Sequence, residues 1–315
     1  MPERKRKSPM ARHTPVMAVM VAAARKAARG LQRDFGEVEN LQVSLKGPAN
    51  FVTAADKKAE KTLFEELSKA RPGYGFLMEE GGTIEGSDKS HRWLIDPLDG
   101  TTNFLHSIPH FAISIGLERD GQIVAGVVYN PISDELFIAE KGQGAFLNDR
   151  RLRVAARREL ANTVVATGIP HIGRPGHQRF IAELGVVMNE VAGVRRMGSA
   201  ALDLAYVAAG RYDAYWEANL APWDLAAGII LVREAGGFVS DLNGRDDVLN
   251  SGGVIAGNET IHRELAKALK RANRKLMEEM SEMYEILDET FQGVKVVKAF
   301  TMERHERRRF HQSNK

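Results

Sequence analysis

At 315 residues the chain has room for one large domain or two modest ones, and with 43% hydrophobic residues it can build a core, which excludes a disordered chain. The formal charge of +3 is supplied by Arg4, Lys5, Arg6 and Lys7 against Glu3, so the balanced remainder gives no argument for nucleic-acid binding. The absence of cysteine excludes disulfides and thiolate zinc sites and leaves oxygen ligands, hence hard cations, for any metal site. No apolar run reaches the ~20 residues that span a bilayer and no signal-peptide core opens the chain, so a soluble cytoplasmic protein is expected.

Residues 1–13 are expected to be a disordered basic leader. From Thr14, with Pro15 suited to a first helical position, the Ala- and Met-rich run to about Phe35 predicts a scaffold helix. Lys46-Gly47-Pro48 marks a turn before FVTAAD, where Val52 and Thr53 suit a short strand. Asp56 then either caps the next helix or serves chemistry. That helix is expected from Lys57 towards Ala70, with Ala59, Leu63, Phe64 and Leu67 at helical spacing. RPGYGFLMEEGG reads as a turn, a short apolar strand and the pair Glu79-Glu80 ahead of two glycines; such a pair is either solvated or delivered into a cleft, and its setting favours the cleft.

The stretch HRWLIDPLDGTTNFLH organises the rest. Trp93, Leu94 and Ile95 predict the end of a buried strand, and Asp96 and Asp99 follow around Pro97, which holds Asp96 extended. Gly100, Thr101 and Thr102 then offer backbone N–H groups and hydroxyls where a helix or turn begins, a good cradle for an anionic oxygen. A bare D-P-x-D is an ordinary capped turn, but the full run suits a divalent cation bridging to a phosphate.

FAISIGLE, QIVAGVVYNP and ELFIAEKGQGAFLN predict a largely antiparallel meander. The second half reads as a mixed unit: a strand at NTVVATGI, a helix over 176–191, a strand at VRRM, a helix from Ser199 to Gly210 and a strand at DAYWE. In PWDLAAGIILVREAGG, Asp224 stands at the start of a helix that ends at Gly236-Gly237, where an N-cap is its bland role. FVS and VIAGN give two more strands, and IHRELAKALKRAN a helix closing the domain near residue 272.

WLIDPLDGTTNFLH together with WDLAAGIILVREAGG resembles the two signatures of the inositol monophosphatase family, within the magnesium-dependent, lithium-sensitive sugar phosphatases. FVTAAD, MEEGG, KGQGAFLN, GSAALDLAYVAAGRYDAYWE and VIAGN extend the likeness over about residues 14–272. The resemblance implies an α/β (α+β) fold: a layered αβαβα sandwich of the inositol monophosphatase/fructose bisphosphatase type. It implies that Glu79, Asp96 and the Leu98 carbonyl hold one Mg²⁺, that Asp96, Asp99 and Asp224 hold a second, and that Glu79 and waters hold a third. Thr101, hydrogen-bonded to Asp56, would deprotonate the attacking water, while the Gly100 and Thr101 N–H groups hold phosphate. Substrate contacts would come from Glu217, Ala200, Asp99 and Lys46. The implied enzyme is a phosphomonoesterase acting on myo-inositol 1-phosphate. Two departures from the family pattern stand out: Met78 bears on the third metal site or the mobility of its loop, and Ala221-Pro222, by the leaving group, opens histidinol phosphate, fructose 1,6-bisphosphate and nucleotide 3′-phosphates as alternatives. A homodimer is expected, and because some bacterial members resemble transcription antitermination factors, contact with RNA polymerase or RNA is a reading of another class.

Beyond Asn273 the character changes. Met280, Tyr284, Leu287, Phe291 and Val294 form an apolar stripe on a charged helix that ends in the basic run ERHERRRFH. Residues 276–315 resemble a cytoplasmic helical part of the membrane domain of ATP-binding-cassette exporters, without a transmembrane helix or nucleotide motif that would make transport plausible. Residues 273–315 are therefore expected to be an appended helical segment from a fused or mis-joined reading frame, outside the catalytic fold.

Overall fold

The computed structural model describes residues 14–35, 43–47, 50–299 and 303–313, with side chains apart from those of 43–47, 50–53, 288–299 and 303–306. The leader 1–13 therefore lies outside the described residues. Helix α1 (Pro15–Phe35) starts where the Thr14 hydroxyl accepts the Met17 N–H at 3.2 Å, and it buries Met17, Met20, Ala24, Ala27 and Leu31 along one face. Strands β1 (Val43–Gly47) and β2 (Asn50–Thr53) pair antiparallel and lead into α2 (Ala54–Ala70), whose Ala55, Ala59, Leu63 and Leu67 pack with α1 in one cluster. The helix begins at Ala54 rather than Lys57, so Asp56 sits inside its first turn and is not its cap.

The first sheet is built from β3 (Tyr74–Met78), β4 (Gly82–Ile84) and β5 (Asp88–Asp99), then, after the short helix α3 (Thr101–Leu105), β6 (Ala112–Arg119), β7 (Gln122–Asn130), β8 (Glu135–Glu140), β9 (Gly144–Leu147) and β10 (Arg150–Arg151). Their order is β10-β9-β8-β7-β6-β5-β3-β4, antiparallel except that β3 runs parallel to β5. The expected meander is present. The second sheet comes from β11 (Val164–Thr167), α4 (His177–Val187), β12 (Gly193–Arg195), α5 (Ala200–Ala208), β13 (Ala214–Glu217), α6 (Pro222–Glu234), β14 (Phe238–Ser240), α7 (Val248–Ser251) and β15 (Val254–Gly257), its order β12-β11-β13-β15-β14. Here β11 is parallel to β12 and β13, and β15 antiparallel to β13 and β14. The α4 helix ends at Val187, short of the expected Val191.

Alternating side chains make five layers from these elements. On β5 and β6, Trp93, Ile95, Ile113 and Ile115 face α1 and α2. Leu94 of β5 points the other way and joins Val128 and Phe137 against α5 and α6. The second sheet repeats the logic: Tyr215, Val254 and Ala256 meet α5 and α6, while Trp216, Ile255 and Val165 meet Val187 of α4 and Ile261, Leu265 and Leu269 of the last long helix, α8 (Glu259–Ala299). Each such large side chain contributes roughly 1.5–3 kcal/mol on burial. The result is the αβαβα sandwich.

Helix α6 lies unusually close to the first sheet because the facing residues are small. A Cβ on Gly116 would fall 2.5 Å from Ala226 Cβ, and one on Gly126 would fall 2.6 Å from Ile230 Cγ2. These contacts fix how deep the helix N-terminus sits.

The helix expected to close near residue 272 continues without a break to Ala299, followed by α9 (Glu303–Ser313). Its last buried hydrophobic side chain among the described residues is Ala272. Beyond it Met277, Met283, Tyr284 and Ile286 are exposed, whereas Met280 and Leu287 are half-buried. The side chains of Phe291 and Val294 lie outside the described residues. Among the described residues no helix is long and apolar enough to cross a membrane.

Candidate active site

Parallel pairing of β3 with β5 places Met78 opposite Ile95, so the residues that follow them, Glu79 and Asp96, emerge together at one edge of the sheet. The Glu79 N–H donates to the Ile95 carbonyl at 3.2 Å, which ties the two strand ends. On the other side, β5 pairs with β6 as far as Asp96 opposite Ser114 and resumes at Asp99 opposite Ala112. The intervening Pro97-Leu98 is a bulge, which a proline without an N–H suits, and it swings Asp99 towards the second half of the chain. The Leu98 N–H donates to Asp96 Oδ1 at 2.9 Å and holds that carboxylate over the bulge.

Gly100 follows in a left-handed conformation, φ 97°, as the cap of α3. A Cβ there would meet the His110 carbonyl at 3.1 Å and the Gly198 carbonyl at 3.3 Å, so both conformation and space require glycine. The Thr101 hydroxyl stands 3.1 Å from the Leu98 carbonyl and 3.3 Å from Asp56 Oδ1, its two possible acceptors. Asn103 Nδ2 spans the site by donating to the carbonyls of His110 and Met197, both at 2.7 Å.

The second half supplies the opposite wall. Asp99 Oδ2 accepts from Ser199 Oγ at 2.6 Å and from the Ala201 N–H at 2.7 Å, and the Ala200 N–H lies against the same carboxylate. Asp224 is the third residue of α6, where its Oδ2 accepts the Ala221 N–H at 2.8 Å. It is thus an N-terminal-turn residue with Pro222 ahead of it, not the cap itself. Glu217 ends β13, and Tyr215 donates its hydroxyl to the Glu217 carboxylate. That carboxylate occupies the space beside Gly168, where a Cβ would come within 1.9 Å of it.

Glu79, Asp96, Leu98, Asp99, Gly100, Thr101, Ala200, Glu217 and Asp224 all line one cleft of about 180 Å³. Asp56 reaches it through the Thr101 hydroxyl, and the side chain of Lys46 on β1 lies outside the described residues. Burial first, then repulsion from Glu79, Asp99 and Asp224, pushes the Asp96 carboxyl well above the usual carboxylate range. Asp224 is raised likewise, by burial and then by Asp99. Burial raises Asp99 to about 6 although Ser199 and the Ala201 and Ala200 N–H groups pull it down. Among the described residues no three acidic or histidine side chains converge tightly enough to form a finished metal cage. The donor set fits a hard cation nonetheless. It is all oxygen, Asp96 is buried and its partners are half-buried, and their like charges oppose one another, so ionising the set asks for a positive partner.

The chain is similar to known proteins along most of its length. Residues 12–274 match the description "inositol monophosphatase family". The chain belongs to that family. An inositol-1-monophosphatase of Mesorhizobium japonicum is 66% identical over 256 residues, 81% of this chain and 96% of that protein. The Nus factor SuhB of Escherichia coli is 44% identical over 265 residues, covering 82% of this chain and 99% of that protein. Among solved structures, the extragenic suppressor protein suhB of Bartonella henselae superposes with a TM-score of 0.80 at 64% identity, covering 82% of this chain and 99% of that one. Residues 263–315 also match a second family, described as ABC transporter transmembrane region. As a member of the inositol monophosphatase family the chain is a phosphatase and metal dependent.

Some cleft residues of this family member were not anticipated from sequence. His171, Arg174, Arg196 and Asn219 form the outer rim. Burial raises the Glu217 carboxyl to about 7 although the Tyr215 hydroxyl and, more weakly, Arg174 and Arg196 pull it down. The bases sit in the loop after β11 and in VRRM, segments whose local pattern signals only a turn and a strand. Ser199 was visible as a helix start, and its Oγ does accept the Leu202 N–H, yet its hydroxyl also donates to Asp99.

Proposed function

We propose that this chain is a Mg²⁺-dependent phosphomonoesterase that hydrolyses myo-inositol 1-phosphate to inositol and phosphate. One observation carries the reading: Glu79 after β3, Asp96 and Asp99 of β5, and Asp224 of α6 line the same cleft as the Gly100-Thr101 turn. In this reading Glu79, Asp96, the Leu98 carbonyl, Asp99 and Asp224 hold two to three Mg²⁺ ions. Bound there, the cations supply positive charge that acidifies a water and neutralises the phosphate and the departing alkoxide.

The protein's own groups do the rest. The Gly100 and Thr101 N–H groups hold the phosphate oxygens at the start of α3. As the attacking water passes its proton to the Thr101 oxygen, the Thr101 hydroxyl proton moves to Asp56. Glu217, with Asp99 and the Ala200 N–H, faces the polyol hydroxyls, and Tyr215 fixes which way the Glu217 carboxylate points. The family resemblance adds Lys46 as a basic substrate contact. The relatives named inositol-1-monophosphatase support the substrate, and lithium inhibition, a cytoplasmic location and a homodimer accompany it as family properties.

Phosphate release measured across inositol 1-phosphate, histidinol phosphate, fructose 1,6-bisphosphate and adenosine 3′,5′-bisphosphate, with Mg²⁺ and with LiCl, tests the proposal. A preference for inositol 1-phosphate lost in LiCl supports it; a preference for another ester reassigns the substrate. The likeness to the Nus factor favours a second role as an antitermination factor contacting RNA polymerase or RNA. Co-purification with polymerase that persists in Asp96→Asn is the outcome that role requires. Residues 14–272 are taken as the catalytic domain and 273–315 as an appendage.

A further inference from the structure

The turn that carries Glu79 rests on a buried acid that the chemistry above does not use. Glu60 lies in the middle of α2, 6% exposed, beneath residues 79–81. Its Oε2 accepts the Glu80 N–H at 2.8 Å, and the Gly81 N–H also bonds to its carboxylate. A carboxylate taken from water costs several kcal/mol unless donors replace the lost solvent, and these two backbone groups are such donors. Gly81 is held from the other side as well. A Cβ there would fall 2.8 Å from Met78 Cε and 3.0 Å from Glu60 Oε1, so the backbone passes through a slot between the two side chains. Met78 is 4% exposed and is packed into the cluster beneath the first sheet, so that side of the slot is fixed.

We propose that Glu60 and Met78 are positioning residues that clamp the Glu79-Glu80-Gly81 turn, so that Glu79 is presented to the cleft before any cation arrives and the affinity for Mg²⁺ depends on the clamp. Glu60 acts through hydrogen bonds to the turn, and Met78 by filling the space under it. The inference rests on the reading of Glu79 as a metal-binding carboxylate.

The test is Mg²⁺ binding to the metal-free full-length chain by calorimetry, with kcat at saturating Mg²⁺ measured alongside. Glu60→Ala is expected to weaken Mg²⁺ binding roughly ten- to a hundred-fold, the usual effect of removing a partner that orients a ligand. Glu60→Gln, which keeps one acceptor oxygen, is expected to fall between that variant and the wild type, and kcat at saturating Mg²⁺ is expected to change by no more than about two-fold. Gly81→Ala puts a methyl between Met78 Cε and Glu60 Oε1, pushing those side chains off the turn, and is expected to weaken Mg²⁺ binding even if Glu60→Ala does not fold. Glu79→Gln serves as the control. If it weakens Mg²⁺ binding while Glu60→Ala and Gly81→Ala bind as the wild type does, the clamp is overturned and the site stands. If Glu79→Gln itself binds Mg²⁺ normally, the reading of Glu79 fails and the clamp fails with it.

Discussion

The Thr101 hydroxyl stands 3.3 Å from Asp56 Oδ1, joining the first turn of α2 to the first turn of α3 at the mouth of the cleft. Thr101→Val keeps the shape and removes the hydroxyl, so it separates packing from proton transfer. General base assistance is worth about 10²–10⁴-fold, and kcat is expected to fall by at least ~10²-fold with KM nearly unchanged. A fall confined to KM would remove Thr101 from the chemistry.

Burial and three neighbouring carboxylates, Glu79, Asp99 and Asp224, all oppose ionisation of Asp96. Asp96→Asn is expected to abolish hydrolysis. In metal-free protein it should also raise the melting temperature, by ~2–4 °C for each kcal/mol of repulsion relieved in a chain of this size. A calorimetric scan in EDTA that shows the variant less stable than the wild type would contradict this account of the site.

Protonation supplies a third expectation. Asp99 sits at about 6 against an ordinary 3.8, so in the folded chain it keeps a proton that the unfolded chain has already released. Stability from such a group is complete below about pH 4 and is lost as pH rises through its folded value. His110 and His262, lowered by burial from 6.5, act in the opposite sense, since they cost stability as pH falls below that value. The carboxylate part is therefore read as the difference between the wild type and Asp99→Asn, both metal-free. The variant's advantage in melting temperature is expected to grow from pH 4 to pH 6 and then level off, and added Mg²⁺ should remove it.

Gly126→Val tests the seating of α6. The new Cβ would meet Ile230 Cγ2 at 2.6 Å and the Ala227 backbone at 2.9 Å. Overpacking of this kind costs roughly 1–3 kcal/mol. Because Asp224 rides on the same helix, weaker Mg²⁺ binding is expected together with the lower melting temperature; a stability loss with unchanged Mg²⁺ affinity would mean that the helix N-terminus is held by other contacts.

A cut in α8 tests the appendage. Asn273 Nδ2 donates to Glu183 Oε1 at 2.9 Å, and Arg271 pairs with Glu190, so the cut is placed beyond these contacts. Removal of 276–315 is expected to leave kcat/KM within about two-fold of the full chain. A tenfold loss would make the helix part of the enzyme.

The sequence showed the elements and the acidic residues because both are local. Asp96 before proline, Gly100 before two threonines and the alternation in FAISIGLE each declare themselves within a few residues. What escaped notice is set by packing between segments far apart in sequence. Asp99 meets Ser199, Asn103 meets Met197 and Glu60 meets Glu80, and nothing in the spacing of those pairs announces the contact. The rim bases Arg174 and Arg196 escaped for the same reason, because a surface arginine looks the same whether or not a cleft opens beside it. The two strands β3 and β5 could each be read locally, but nothing local announced that they pair in parallel, and it is this pair that sets Glu79 beside Asp96.

The place of α6 bears on how the chain is made. It comes late in sequence, yet it packs on β6 and β7, which precede it by about a hundred positions. During synthesis the first sheet therefore waits, one apolar face incompletely covered, until residue 234 has left the ribosome. A chaperone that recognises exposed strands would find its target in that interval, and a nascent chain halted before Pro222 should be the form most prone to aggregate.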